Sequence, residues 1–336
     1  MTPHQYIERE TLNISTERLY WDRVIGFLYS KVRENVPSLF RIVTGPRTSS
    51  LLGFLNYELF ITGRLSGNMK FLKESGINLD ECLEGPELLD TPKKIFERKI
   101  RYWKYRPMCE NVQAVVSPAD ARVLVGSFCE GKGIFVKEKF FEYEELLGPD
   151  KGEWLEAFHD GDFAIFRLTP DKYHYNHTPV AGVVLDVYEI SGRYHSCNPG
   201  AVIMTVTPYS KNKRVVTVID TDVPGGSQVG RVAMVEVVAF MIGEIAQCYS
   251  EEQYDNPVNV SKGMFLERGC PKSLYRPGSS TDILIFQKDR VLFADDILIN
   301  KHSREAMSRY SLGFGEPLVE TDVKVRSLIA IRQSIV

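Results

Sequence analysis

Apolar and polar positions change their rhythm partway along the chain. From Thr16, a candidate helix N-cap followed by Glu17, apolar residues recur as Trp21, Val24, Ile25, Leu28 and Val32, the spacing of one helix face. Residues 51–61 are apolar nearly all round yet too few to span a bilayer, so they read as a buried helix or one lying in a membrane interface. After about residue 110 the pattern becomes short β-branched runs punctuated by Gly, Pro and Asn, at 115–116, 123–125, 164–168, 182–187, 201–207, 214–219 and 283–286. One further helix is expected over 235–248. The pattern predicts an α+β protein, with a helical N-terminal region (residues 1–110) packed on a β-rich, barrel-like or sandwich-like core (residues 111–336).

Charge narrows the function. The 336 residues carry 41 basic and 44 acidic side chains, a net charge of -3, which argues against a nucleic-acid partner bound through global charge. Six cysteines, at 82, 109, 129, 197, 248 and 270, show no C-x-x-C spacing, so neither a paired-knuckle zinc site nor a disulfide framework is expected. The opening MTPHQYIERE lacks an apolar signal core, and no run of 18 apolar residues occurs. These features point to a cytoplasmic protein able to associate peripherally with a membrane. Residues 93–106, KKIFERKIRYWKYR, hold seven basic residues, one acid and four aromatics. That mixture suits an anionic phospholipid surface, and it equally suits an amphipathic helix with a solvated basic face.

Three places hold candidate chemistry. His174 and His177 lie three residues apart between strands. Two histidines without a third ligand or an H-E-x-x-H helix make a poor metal site, whereas imidazole suits general acid/base work. Taken alone, a structural pair of histidines is the simpler reading. Asp120 sits in a turn between apolar runs, where a carboxylate either orients an imidazole or satisfies its own backbone. Gly278, Ser279 and Ser280 precede an apolar strand. They form either a strand-entry turn or a point where a flexible backbone lets a hydroxyl reach the carbonyl before it.

Together the motifs SPAD (117–120), FHDGDFAIFRLTPDKYHYNHTPVAG (158–182), CNPGAV (197–202), NKRVV (212–216), KG (262–263) and PGSSTDILIF (277–286) resemble the phosphatidylserine decarboxylase family. The flanking IFVKEKFFEYEELLG (134–148) and VETDVKV (319–325) continue the likeness, which covers roughly residues 85 to 325. The resemblance implies a proenzyme that cuts itself between Gly278 and Ser279 into a β chain, 1–278, and an α chain, 279–336. It casts Ser279 as nucleophile, His177 as base, Asp120 as the group fixing the His177 tautomer, and His174 as the acid/base of decarboxylation. It implies a pyruvoyl group made from Ser279, with no metal and no pyridoxal phosphate, a homodimer, and conversion of phosphatidylserine to phosphatidylethanolamine and CO2. The chain departs from the family pattern in Tyr175, where an Arg is common, in Ala121 and Val238, where Gly is common, and in Ser280, where Thr is usual. The lost cation keeps open a pyruvoyl-dependent decarboxylase acting on a free, aromatic amino acid. A serine hydrolase built on Asp120, His177 and Ser279 lacks a G-x-S-x-G elbow, and a non-catalytic lipid-binding relative would not need all three.

Overall fold

A computed structural model describes residues 2–19, 22–45, 48, 76–129, 140–205, 207–239, 244–278 and 280–333. In chain order the strands among them are β1 (Gln5–Glu8), β2 (Ile14–Thr16), β3 (Ala114–Val116), β4 (Ala121–Ser127), β5 (Asp162–Leu168), β6 (Tyr175–His177), β7 (Gly182–Ile190) and β8 (Arg214–Asp220). They continue as β9 (Arg231–Val238), β10 (Ile245–Gln247), β11 (Phe265–Leu266), β12 (Pro271–Tyr275), β13 (Ser280–Phe286), β14 (Val291–Phe293), β15 (Thr321–Val323) and β16 (Leu328–Arg332). Ten of them form one sheet in the order β11-β7-β8-β9-β13-β5-β4-β15-β1-β2. Its two ends do not pair, so the architecture is α+β without a closed barrel. Two three-stranded sheets, β10-β12-β6 and β14-β16-β3, complete the strand set.

Strand β13 shows why these runs look apolar throughout instead of alternating. Leu284 and Phe286 pack into one core with Phe166, Met234, Tyr275 and Ile329, on the side of the small sheets. Ile283 and Ile285 pack into a second core with Leu146, Trp154, Val202 and Tyr310, on the side of the helices Tyr143–Leu147, Gly152–Ala157, Pro199–Met204 and Arg309–Phe314. A sheet covered on both faces needs apolar residues pointing both ways.

Several expectations change here. The N-terminal region is not helical throughout: β1 and β2 form a hairpin, and β1 joins the large sheet beside β15. Thr16 therefore ends a strand, and the helix begins at Asp22 and runs through a wider π turn, Leu28–Val32, to Asn35. A second helix, Pro37–Val43, follows. The run 201–207 is not a strand; Pro199–Met204 is a helix that opens with Pro199 and with Asn198 accepting from the Gly200 N–H at 2.8 Å, cap signals that outweigh its β-branched content. The helix expected over 235–248 is instead the end of β9 and then β10, because an apolar run buried on both faces carries no helical or strand period of its own. Ala121 and Val238 sit in strands and are not among the positive-φ residues, so neither position needs glycine. The apolar run 51–61 lies outside the described residues.

Candidate active site

The chain passes from the small sheet to the large one at the motif that matters most. β12 ends at Tyr275, and β13 begins at Ser280, paired with Leu168 on one side and Val238 on the other. Gly278 lies between them with φ +148°, a conformation that L side chains rarely adopt. Ser279 itself lies outside the described residues. The junction is tied shut on its near side: the buried Tyr275 hydroxyl reaches Thr281 O (3.0 Å) and Asp282 Oδ1 (2.8 Å), residues on the far side of the gap. Just beyond the junction, Ser280 Oγ and Thr281 Oγ1 are buried with no hydrogen-bond partner.

β6 lies antiparallel to β12 and sets the two histidines at opposite ends of it. Tyr275 N–H donates to His174 O (3.1 Å), whereas His177 pairs with Pro271, four residues or roughly 13 Å back along the strand. His174 is fully buried and stacked on Phe96 with ring centroids 3.5 Å apart. Neither ring nitrogen completes a well-formed hydrogen bond, although the Pro170 and Thr169 backbone lies close enough to favour its protonated form. Burial, and secondarily the Arg98 guanidinium, hold its pKa well below the ordinary 6.5, so it is a neutral imidazole. His177 is fixed differently. Its Nδ1 contacts the Gly269 carbonyl (2.8 Å), which can only accept, so Nδ1 carries the proton and Nε2 accepts from the Tyr173 hydroxyl (3.0 Å). Tyr173 meets the Tyr254 hydroxyl (2.7 Å), and Tyr102 packs edge-on to the imidazole (4.7 Å). Burial lowers the His177 pKa to about 3.

Asp120 stands close to this wall but does not hold His177. The turn 117–120 is bound to β6 through His177 N–H donating to Pro118 O (2.7 Å). The Asp120 carboxylate, however, takes Arg106 Nε (2.9 Å), Arg106 Nη2 (2.7 Å) and the Val325 N–H (2.8 Å). Burial pushes its pKa up, and Arg106 more than offsets this, leaving it below the ordinary carboxylate value. The expected Asp120–His177 hydrogen bond is replaced because a bidentate guanidinium is a stronger partner for a carboxylate than a neutral ring N–H. Asp120 still acts on both histidines at longer range, favouring their charged forms.

That guanidinium comes from the basic-aromatic run. The run 93–106 is two short helices, Pro92–Phe96 and Tyr102–Tyr105, the first capped by the Thr91 side chain. Ile95, Phe96, Arg98, Ile100, Tyr102 and Arg106 are buried, with Phe96 and Tyr102 packed on the two histidines, while Lys94, Trp103 and Lys104 are exposed, so the run has an inner wall and a basic outer side. Of its four aromatic residues, Phe96 and Tyr102 are buried and Trp103 is exposed.

A second group of polar residues gave no signal in the sequence. Glu236 and Asp282 face each other across β9 and β13, both completely buried. Lys272 Nζ pairs with Glu236 Oε2 (2.6 Å), Asn176 Nδ2 donates to Glu236 Oε1 (3.2 Å), and Ser273 donates to the same oxygen. Burial first, and then the Glu236 charge, drive the Asp282 pKa well above the ordinary value, so Asp282 is a neutral acid with Oδ2 unpartnered. These residues are read only from the strand register, which no local motif encodes.

One group among the described residues has the ligand types for a metal: His4, Glu17 and Glu320, with their ligand atoms within 4.8 Å of one another. Arg167 already bridges Glu17 (2.6 Å) and Glu320 (2.5 Å), and Arg122 also pairs with Glu17. The group is thus a charge-balanced network that ties the N-terminus to β5.

Comparison with known proteins agrees with the motif order. The phosphatidylserine decarboxylase family profile matches residues 93–312. The phosphatidylserine decarboxylase proenzyme of Fusobacterium nucleatum is 29% identical over 301 residues, covering 89% of this chain and 93% of that protein. That of Vibrio cholerae is 30% identical over 246 residues, covering 70% of this chain and 83% of its own, and proenzyme 2 of Oryza sativa is 31% identical over 265 residues, 77% of this chain and 40% of its own. The protein is a carboxy-lyase. More particularly, it belongs to the phosphatidylserine decarboxylase family, whose members are made as proenzymes.

Proposed function

We propose that the chain cuts itself between Gly278 and Ser279 and then converts phosphatidylserine to phosphatidylethanolamine and CO2 with a pyruvoyl group made from Ser279. The observation that carries this reading is the junction between β12 and β13: a glycine in a conformation suited to glycine, with buried, partnerless polar groups close by. In the cleavage step the Ser279 hydroxyl oxygen bonds to the Gly278 carbonyl carbon as its proton leaves, and the Ser279 nitrogen departs as an amine, leaving an ester. Elimination then breaks the Oγ–Cβ bond, giving Gly278 a free carboxylate and the α chain a dehydroalanine terminus. One water enters and one ammonia leaves to give the ketone. His177, the base that the resemblance implies, holds Nδ1–H on Gly269 O and takes the Tyr173 hydroxyl on Nε2 at the far end of β12, so acting on Ser279 would require it to exchange that partner; His174 lies nearer the junction, beside Tyr275.

The residues present fit a carbonyl at position 279. Ser280 Oγ is a buried polar atom without a partner, and such atoms are uncommon unless something else meets them. A ketone conjugated to an amide accepts the electron pair released with CO2, which no ordinary side chain does. His174, neutral beside Tyr275, takes the proton that the substrate ammonium gives up and returns it, as imidazolium, to the product carbon.

The alternatives find less support. Tyr175, the residue that raised the free amino acid, stacks on Tyr173 (5.5 Å) and meets Tyr254 edge-on (5.0 Å), so its ring belongs to the wall of the histidine site. A hydrolase triad lacks its Asp120–His177 bond. No helix among the described residues is long and apolar enough to cross a membrane. Val24, Phe27, Val36, Leu39 and Ile42 nevertheless leave an exposed apolar face on the N-terminal helices, which supports peripheral contact with a lipid surface.

Intact mass and denaturing electrophoresis test the reading. Two chains are expected, the smaller being residues 279–336 lighter by one ammonia than the hydrolytic fragment. Ser279→Ala should stay a single chain, and Ser280→Ala should still cleave. A purified wild-type protein that remains one chain of full mass overturns the proposal.

A further inference from the structure

Between the N-terminal helices and the loop after β7 lies a cavity of about 810 Å³. Arg33, Arg193, Lys211 and Arg214 line it, against one carboxylate, Glu145. The guanidinium of Arg214 ends on the Leu146, Asn212 and Glu145 carbonyls, and that of Arg33 on the Met204 carbonyl. Both guanidinium groups therefore spend these hydrogen bonds on carbonyls, and Glu145 is the carboxylate whose charge reaches Arg214. His195 also lines the cavity, is only 4% exposed, stacks on Phe40 (6.0 Å), and leaves Nδ1 without a partner. Excess cations around an open imidazole nitrogen are the chemistry of an anion site.

The cavity is tied directly to the cleavage junction. Asn212 holds His195 by both backbone groups (2.7 and 2.9 Å) and reaches the Val238 carbonyl (2.9 Å), and Val238 is the cross-strand partner of Ser280. Two residues past His195, Cys197 Sγ contacts the Ser280 carbonyl (3.8 Å).

We propose that this cavity receives the phosphodiester of the substrate headgroup, holding the amino acid end toward residue 279. This rests on the function proposed above and deepens it, since a free amino acid has no phosphate to place there. It also supplies, from a different element, the cation absent at Tyr175. Burial, with Arg193, Lys211 and Arg33, holds His195 down at about 4, and a bound anion offsets those cations and raises it.

The test uses the mature enzyme with phosphatidylserine in mixed micelles and inorganic phosphate as a separate probe. Arg193 is exposed, so Arg193→Gln should fold normally. It should raise KM about tenfold, ~1.4 kcal/mol, with kcat nearly unchanged, and Arg193→Lys should recover most of the loss. Phosphate should move the His195 imidazole resonances of the wild type and move them less in Arg193→Gln. Unchanged KM in both Arg193→Gln and the Arg193→Gln/Lys211→Gln double variant overturns the proposal. So does a phosphate response at His195 with no change in KM, which marks a site for free phosphate alone. If the wild type is cleaved yet releases no CO2 from phosphatidylserine, the functional reading fails instead, and the His195 titration decides the anion site by itself.

Discussion

Lys272 is a charged side chain with no access to solvent, held against Glu236 that has none either. Removing one member of such a pair leaves the other charged and buried, whereas replacing both is often close to neutral. Lys272→Met should therefore lower stability by roughly 3–5 kcal/mol, and Glu236→Gln added to it should recover a large part. Urea denaturation of both single variants and the double variant measures this. A Lys272→Met protein within about 1 kcal/mol of wild type would show that Glu236 is not left uncompensated without Lys272. None of this was legible locally: Lys272, Glu236 and Asp282 are far apart in sequence and meet only through strand register. Arg106 is similar, since its partner Asp120 was legible as a candidate carboxylate and the cation that claims it was not.

Among the elements, β13 decides what the proposed cleavage would do to the molecule. It lies between β9 and β5 and pairs through all seven of its residues on each side. A cut at its N-terminal edge breaks one covalent bond and none of these ladder pairs. The two chains should co-elute in native size-exclusion chromatography, including in high salt, and separate only in denaturant. Dissociation of the 279–336 chain under native conditions would contradict the sheet order. β13 was legible because its β-branched run follows Gly, Ser and Ser. The helix Pro199–Met204 was misread because its valine and isoleucine content outweighed a capping signal at Asn198 and Pro199 that was also present.

For the whole molecule, burial of neutral imidazoles sets the acid limit. His177 and His195 are lowered to about 3 and about 4, and His174 lies well below 6.5, so between these values and 6.5 the unfolded chain binds protons that the folded chain does not. Stability therefore falls as pH drops from 6.5. Asp282 acts in the opposite sense, because its raised pKa makes the folded state hold a proton that the unfolded state has lost above 3.8. Three groups against one leave a net slope of up to about 3 kcal/mol per pH unit near pH 5. Below about 4.5 the lowered Glu320 (to about 2) and Asp120 add to the loss. Urea midpoints at pH 5 and pH 7 should differ strongly, and His195→Gln should flatten the difference by about one proton. Equal midpoints would mean that these imidazoles reach water.

The sequence alone carried the family, the order of its motifs and six of the sixteen strands described, because these are written in contiguous residues whose spacing and turn chemistry act locally. Tertiary structure alone decided that Asp120 binds Arg106, that Gly269 O fixes His177, that Phe96, Tyr102 and Arg106 of the run 93–106 turn inward, and that a cavity lined by cations is linked to β9 through Asn212. Each of those outcomes depends on which of several distant partners a polar group meets once water is excluded, and only the packed sheets settle that choice.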